Sequence, residues 1–133
     1  MADRSWLPAG GTLEVDVKQL YCTITFGATG AVSASTGTGK GIKSVVRNST
    51  GNYTITLSDQ YQALVGAVLV LLDATNSDPT TVGVACRLAS QAVTAATPTV
   101  VVQFNGTGTP GAVLDPRNGA QLLVTLHLKN STL

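Results

Sequence analysis

The sequence predicts an all-β fold, an antiparallel β-sandwich or jelly-roll barrel with an extended N-terminal arm. Two observations support this prediction, and a third describes the surface. Apolar and polar residues alternate over many short segments that are bounded by Gly, Pro, Asn or Ser, and no sustained helical period interrupts them. The chain of 133 residues has room for about eight to ten such strands. Only 11% of the residues are charged, whereas about 25% is usual, so the surface is expected to be neutral and rich in hydroxyl groups.

Residues 1–11 are predicted to form the arm, and residues 12–133 a single domain. Pro8 and the glycines that follow it interrupt both helix and strand. The single tryptophan nearby is costly to leave in water, so it either folds back onto its own domain or anchors the arm to a neighbouring subunit. The arm residues that would make the second contact are Trp6, Leu7 and Pro8.

The segment 42–57 is predicted to be a β-hairpin. Two β-rich stretches flank a polar tip at which Gly51 can adopt a positive φ without a steric cost. After the tip, Tyr53, Ile55 and Leu57 alternate with threonines, which gives the second strand one apolar and one hydroxylated face.

The remaining segments differ in how completely they are predicted to be buried. The run 67–72 contains only Ala, Val and Leu, which is typical of a central strand covered on both faces. Residues 58–62 begin with a capping-type Ser and are predicted to form a single helical turn. The segment 31–34 is predicted to be a short edge strand. Further strands are predicted at residues 12–17, 20–26, 82–88, 99–104 and 121–129, the last with Leu122, Val124, Leu126 and Leu128 on one face.

The longest predicted connection, residues 105–120, is the best candidate for an interaction site within the domain. Connections of this length inside a compact domain are usually functional. An apolar pair precedes a turn sequence at residues 115–119. The pair either belongs to the core, with the turn closing a hairpin, or is presented to a partner. The residues that would then form the contact are Val113, Leu114 and Arg117.

No group of residues in the sequence predicts catalysis, a cofactor or a bound metal. The only histidine, His127, follows the alternation of the last strand, which favours a packed or outward side chain over a general base. Residues 37–41 resemble a phosphate-binding loop, but Ala34 stands where the first glycine is needed, and Gly41 replaces the residue that would bind magnesium. We therefore expect a protein without enzymatic activity.

Charge and hydropathy exclude two further classes of partner. The net charge is +1 and the chain has no run of Lys or Arg, so nucleic-acid binding is not expected. The longest apolar run is shorter than the roughly 20 residues that a membrane span requires. The N-terminus has no apolar segment of signal-peptide length, so we expect synthesis in a reducing cytoplasm, with Cys22 and Cys86 as separate buried thiols.

Two stretches resemble a known group of proteins. Residues 41–47 and 51–57 look like a hairpin found in small β-rich virion structural proteins of tailed bacteriophages, and residues 115–119 followed by 122–131 are similar to the C-terminus of the same group. The resemblance implies a head decoration or cement protein, made in the host bacterial cytoplasm, that forms a homotrimer on the capsid surface. Its implied partners are the major capsid protein or other virion proteins, and it implies no catalytic residues.

A carbohydrate- or receptor-binding β-sandwich module of a phage tail or fibre is the alternative function. Sugar sites use exposed aromatic side chains with amides or carboxylates nearby. A glycan array distinguishes the two functions, since reproducible binding to a sugar favours the module. The aromatic candidates are Trp6, Tyr21, Tyr53 and Tyr61.

Overall fold

The computed structural model describes residues 17–37, 40–72, 84–106 and 112–129, and eight strands lie in these ranges. The arm residues Trp6, Leu7 and Pro8 lie outside the described residues. The strands are β1 (Val17–Phe26), β2 (Val32–Ser35), β3 (Ile42–Ser49), β4 (Asn52–Leu57), β5 (Ala63–Leu72), β6 (Val84–Ala92), β7 (Thr99–Gly106) and β8 (Gln121–Lys129).

The eight strands form two four-stranded sheets that pack against each other. Sheet A has the strand order β2-β1-β8-β5, and sheet B has the order β3-β4-β7-β6. All neighbouring strands pair antiparallel. The prediction of an all-β antiparallel sandwich is confirmed. Within the described ranges, no helix is long and apolar enough to cross a membrane.

The core lies between the two sheets and is built by alternation along each strand. On β8 the four predicted inward residues, Leu122, Val124, Leu126 and Leu128, are at most 2% exposed. Three aromatic rings fill one part of the core: Phe26, Tyr53 and Phe104 meet edge to face with centroid separations of 5.0, 5.4 and 5.5 Å. Edge-to-face pairs of this kind stabilise a core beyond the area that they bury.

The predicted hairpin is confirmed as β3 and β4. Gly51 at its tip has a φ of 67° and is buried against a segment that is distant in sequence. A Cβ atom at this position would lie 2.5 Å from Val113 Cγ1 and 2.7 Å from the Leu114 carbonyl oxygen. The tip therefore requires glycine both for its backbone conformation and for close packing.

We expect Gly51→Ala to destabilise the fold by about 2 kcal/mol or more, because a left-handed residue with a Cβ is strained and the added methyl group has no room. Gly66→Ala is the matched control, since a Cβ at Gly66 meets no atom within 4 Å. Urea unfolding of both variants measures the difference. Equal stability of the two variants would contradict the packing of the hairpin tip.

Two predicted elements differ from the structure in kind. The run 67–72 is not a central strand, because β5 lies at the edge of sheet A. Its alternate residues Ala67, Leu69 and Leu71 pack on the core, and the residues between them face outward. A continuous apolar run indicates a strand but does not reveal whether its second face is covered.

The predicted helical turn at residues 58–62 is also wrong. The backbone there bends, because Tyr61 N–H donates to the Val93 carbonyl at 3.0 Å and Gln62 N–H donates to the Lys129 carbonyl at 2.8 Å. Bonds to other segments thus replace those of a helix.

A short 3-10 turn occurs instead at Ala28–Gly30, and the predicted edge strand near residues 31–34 is confirmed as β2. The predicted break between residues 17 and 20 is absent, since β1 runs through it.

Candidate functional site

A group of exposed apolar side chains lies on the outer face of sheet A, along its β5 edge. We call this group the β5 strip, and it consists of Val68, Val70, Leu72 and Leu123. Each of these side chains is between 37% and 52% exposed. Val65, at an irregularity in the pairing of β5 with β8, is exposed as well and extends the apolar edge.

The pairing register places the members of the β5 strip next to one another. Val70 lies directly opposite Leu123, and Val68 and Leu72 flank Val70 on the same face of β5. Opposite residues in an antiparallel pair have Cβ atoms about 5 Å apart, so these side chains form one continuous apolar surface. Contiguous exposed apolar surface of this kind marks an interaction site in a soluble protein more often than isolated exposed residues do.

Polar side chains border the β5 strip on the side towards β1, away from the edge of sheet A. Tyr21 is 62% exposed and lies in the same cross-strand row as Thr125 and Val68. Its hydroxyl donates to Gln19 Oε1 at 2.6 Å, and Gln19 Nε2 lies 3.4 Å from His127 Nδ1. Protein interfaces commonly combine an apolar centre with a polar rim that includes tyrosine.

The outer face of sheet B has a different character, because its polar side chains bind one another. Arg87 Nε donates to Gln103 Oε1 at 3.0 Å, Gln103 Nε2 donates to Asn52 Oδ1 at 3.0 Å, and Asn52 Nδ2 donates to Ser49 Oγ at 3.1 Å. Val46 is exposed on this face, next to Thr54. The two outer faces are therefore unlike, and sheet A carries the apolar one.

A second feature, the Asp115 cluster, joins three segments that are distant in sequence. Asp115 Oδ2 accepts from Arg47 Nη2 at 2.7 Å, and its Oδ1 accepts from Arg47 Nε at 3.2 Å and from the Gly51 amide at 2.7 Å. The hydroxyl of Tyr53 lies 3.2 Å from the same Oδ1 and donates to the Gly30 carbonyl at 2.6 Å. The cluster fastens the segment after β7 to the β3–β4 hairpin and to the turn after β1.

The electrostatics of the cluster favour an ionised Asp115. Burial opposes the charge, but the hydrogen bonds from Arg47 and from the Gly51 amide outweigh it and lower the pKa of Asp115 below its ordinary value of 3.8. Burial, together with the neighbouring carboxylate, raises the pKa of Tyr53. An ionised acceptor held by fixed donors suits a structural role, because no group in the cluster is poised to exchange a proton near neutral pH.

The structure places the predicted loop residues beside this cluster. Val113 is half-buried, forms a bridge with Asn105 and packs on Gly51, whereas Leu114 is 36% exposed. Arg117 is half-buried and accepts from the Ala120 amide through its carbonyl at 3.1 Å, within the turn. A role of these three residues in binding a partner stays a prediction.

Sequence reasoning missed the β5 strip and the Asp115 cluster. The run 67–72 carries a signal for the strip, because its outward positions are as apolar as its inward ones. The strand order that exposes these positions cannot be predicted from the run alone. For the cluster, Arg47 and Tyr53 were placed on the two strands of the predicted hairpin and Asp115 in a distant turn, and no local pattern joins that turn to the hairpin.

Neither feature has the composition of a reactive site. Among the described residues, no group of three or more His, Cys, Asp or Glu could hold a metal ion. Cys22 and Cys86 are free thiols, as predicted, although Cys86 is only half-buried, and burial raises the pKa of each to about 11. Thiols with raised pKa values are weak nucleophiles at neutral pH.

The aromatic candidates for a sugar site are mostly not available. Tyr53 and Tyr61 are buried, and Trp6 lies outside the described residues. Tyr21 is exposed and is accompanied by the Gln19 amide. No family model, curated protein or solved structure matches this chain.

Proposed function

We propose that the chain is a non-enzymatic structural protein of a bacteriophage virion, which oligomerises and stabilises the head shell as a decoration protein. The observation that carries this proposal is the β5 strip. Four apolar side chains on a rigid antiparallel sheet form a surface suited to bind protein, and the low charge of the chain imposes little repulsion between copies.

The sandwich supports the proposal through the way in which a symmetric shell binds its accessory proteins. Each copy needs only a modest contact, because copies joined to one another bind the shell together and their contacts add. The resemblance of residues 41–47 and 51–57, and of residues 115–119 and 122–131, to virion proteins of tailed bacteriophages supports a place in the virion, and a head decoration protein is the member of that group that we propose. A homotrimer is what that resemblance implies.

Addition of the purified chain to heads that lack it tests the function. We expect the chain to co-sediment with the heads at a fixed ratio to the shell subunits and to raise the temperature at which heated heads release their DNA. Val68→Lys should weaken both effects, since a charge in the β5 strip must be desolvated on binding. Val46→Lys is the matched control, because Val46 and Val68 are 53% and 52% exposed on opposite sheets.

The assignment to the head would be contradicted if the folded, unmodified chain did not bind such heads. Equal loss of binding in both lysine variants would contradict the role of the β5 strip, because the cause would then be the added charge and not its place.

A glycan- or receptor-binding module is the second candidate, and Tyr21 favours it. An exposed tyrosine ring beside an amide is a common element of sugar sites. The hydrogen bond between the Tyr21 hydroxyl and Gln19 already satisfies part of this polar capacity. Reproducible binding on a glycan array that Tyr21→Ala abolishes would replace the head assignment with this one.

A further inference from the structure

The two sheets have four edge strands, and only β5 is long and uncharged. β3 carries Lys43 and Arg47, β6 carries Arg87, and β2 has only four residues. Charges and short length are the usual means by which natural sheets prevent their edges from pairing with other chains. β5 has ten residues, all uncharged, and no described strand pairs with its outer edge. Among the described strands, β5 is therefore the one edge strand that has neither of these features.

The position of the β5 strip also favours a partner at the β5 edge of sheet A. The strip lies at the margin of sheet A, with its polar rim on one side only. An interface with an apolar centre normally has polar residues on both sides. If a second sheet A continued beyond β5 by a twofold axis, the two strips would meet in the middle, and the Tyr21 rim of each copy would lie on the outside.

We propose that two copies of this chain pair through their β5 strands, antiparallel across a twofold axis, to form one continuous eight-stranded sheet. The pairing deepens the proposed virion function and rests on it for its purpose, which is to present a doubled apolar surface to the shell. A twofold axis perpendicular to the sheet makes the two β5 strands run antiparallel and keeps both β5 strips on the same outer face, and the contact is isologous. The absence of charge in Ala63–Leu72 means that no like charges meet across the axis.

This twofold geometry predicts a dimer and not a trimer. An isologous contact closes after two subunits, whereas a threefold ring needs two different surfaces on each subunit. The homotrimer implied by the resemblance and the β5 pair therefore predict different masses. We expect sedimentation equilibrium to give twice the chain mass of 13.6 kDa.

Charge placed on the edge tests the contact first. Val68→Lys adds a charge to the paired edge of each copy, which charged edges of natural sheets use to prevent pairing, and we expect the mass to fall to that of one chain. Val46→Lys, on the outer face of sheet B, should keep the doubled mass. A single-chain or a threefold mass for the unmodified chain would overturn the pairing, as would dissociation by Val46→Lys to the same degree.

Introduced cysteines then test the geometry. The single variants Gly66→Cys, Val68→Cys, Val70→Cys and Leu72→Cys place a thiol on the outward face of β5, and they are oxidised alone and mixed in pairs. Antiparallel neighbours have Cα atoms about 4.5–5.5 Å apart, within the range of a disulfide. We expect cross-links only between positions whose residue numbers add to one constant. Cys22 and Cys86 are poor competitors because burial raises the pKa of each to about 11, and peptide mapping identifies the bond formed.

Leu123→Cys is the control that separates edge pairing from packing of one outer face on another. In the paired sheet, the two β8 strands are three strand spacings apart, about 14 Å, so the introduced thiols cannot join. In a face-to-face dimer they could meet. A disulfide between two copies of the Leu123→Cys variant, or cross-links that follow no constant sum, would overturn the proposed geometry.

The tests of pairing and of function fail separately. A doubled mass with the expected cross-links but no binding to heads supports the pair and contradicts the virion function. Binding to heads by a chain that is a monomer in solution and on the particle supports the function and contradicts the pair.

Discussion

Leu126→Asp is expected to prevent folding. Leu126 is fully buried on β8, between Leu20 of β1 and Ala67 of β5. Removal of a buried leucine side chain costs about 2–5 kcal/mol, and a buried carboxylate without a partner adds several more. Domains are stable by only about 5–15 kcal/mol, so the variant should lack the β-sheet circular-dichroism signal and a cooperative thermal transition.

Leu123→Asp is the control for this experiment. Leu123 lies on the same strand, three residues earlier, but faces outward on sheet A. The substitution introduces the same carboxylate, but at a position that is exposed to solvent. We therefore expect the variant to remain folded. A soluble Leu126→Asp variant with a normal melting transition would mean that the inward face of β8 is assigned to the wrong residues, since a shift by one residue exchanges the two faces.

Asp115→Ala is expected to produce the second largest effect, a loss of about 2–4 kcal/mol. The substitution removes the acceptor of the buried Gly51 amide and of the Arg47 guanidinium. The Gly51 amide is buried, and a buried donor left without a partner costs more than the net value of the bond that it loses, whereas the partly exposed Arg47 guanidinium can be solvated by water. Asp59→Ala removes an exposed carboxylate and should change the free energy of unfolding little. Chemical denaturation at pH 7 measures both.

The effect of Asp115 should depend on pH in a defined direction. Because its pKa is lower in the folded protein than the ordinary 3.8, the group contributes its full stability above that value and loses it as the pH falls through the folded pKa. The stability difference between the unmodified protein and Asp115→Asn should therefore shrink below about pH 4. A difference that stays constant from pH 7 to pH 2 would contradict the ionised state of Asp115.

Local patterns were sufficient to predict most strands and their inward faces. The alternation on β8 identified all four buried residues, and Gly51 located the hairpin tip, because burial on one face and a positive φ leave direct traces in the sequence. The segment 58–62 was misassigned because bonds from Tyr61 and Gln62 to distant carbonyls outweigh a weak helical preference.

The candidate site required the order of strands, which local patterns do not contain. The residues that form the β5 strip were visible as an apolar run, yet only the neighbours of β5 decide whether Val68 and Val70 are covered. The Asp115 cluster likewise joins Arg47 and Asp115 across 68 positions of sequence. Contacts over such separations follow from topology and not from the period of a single segment.

A cryo-EM reconstruction of phage heads to which the purified chain has been added tests the proposed function most directly. We expect density for two four-stranded sheets on the outside of the head, with Val68, Val70 and Leu123 covered by protein. Absence of the chain from the particle, or its presence with the β5 strip open to solvent, would contradict the claim that this protein acts through the apolar surface of sheet A.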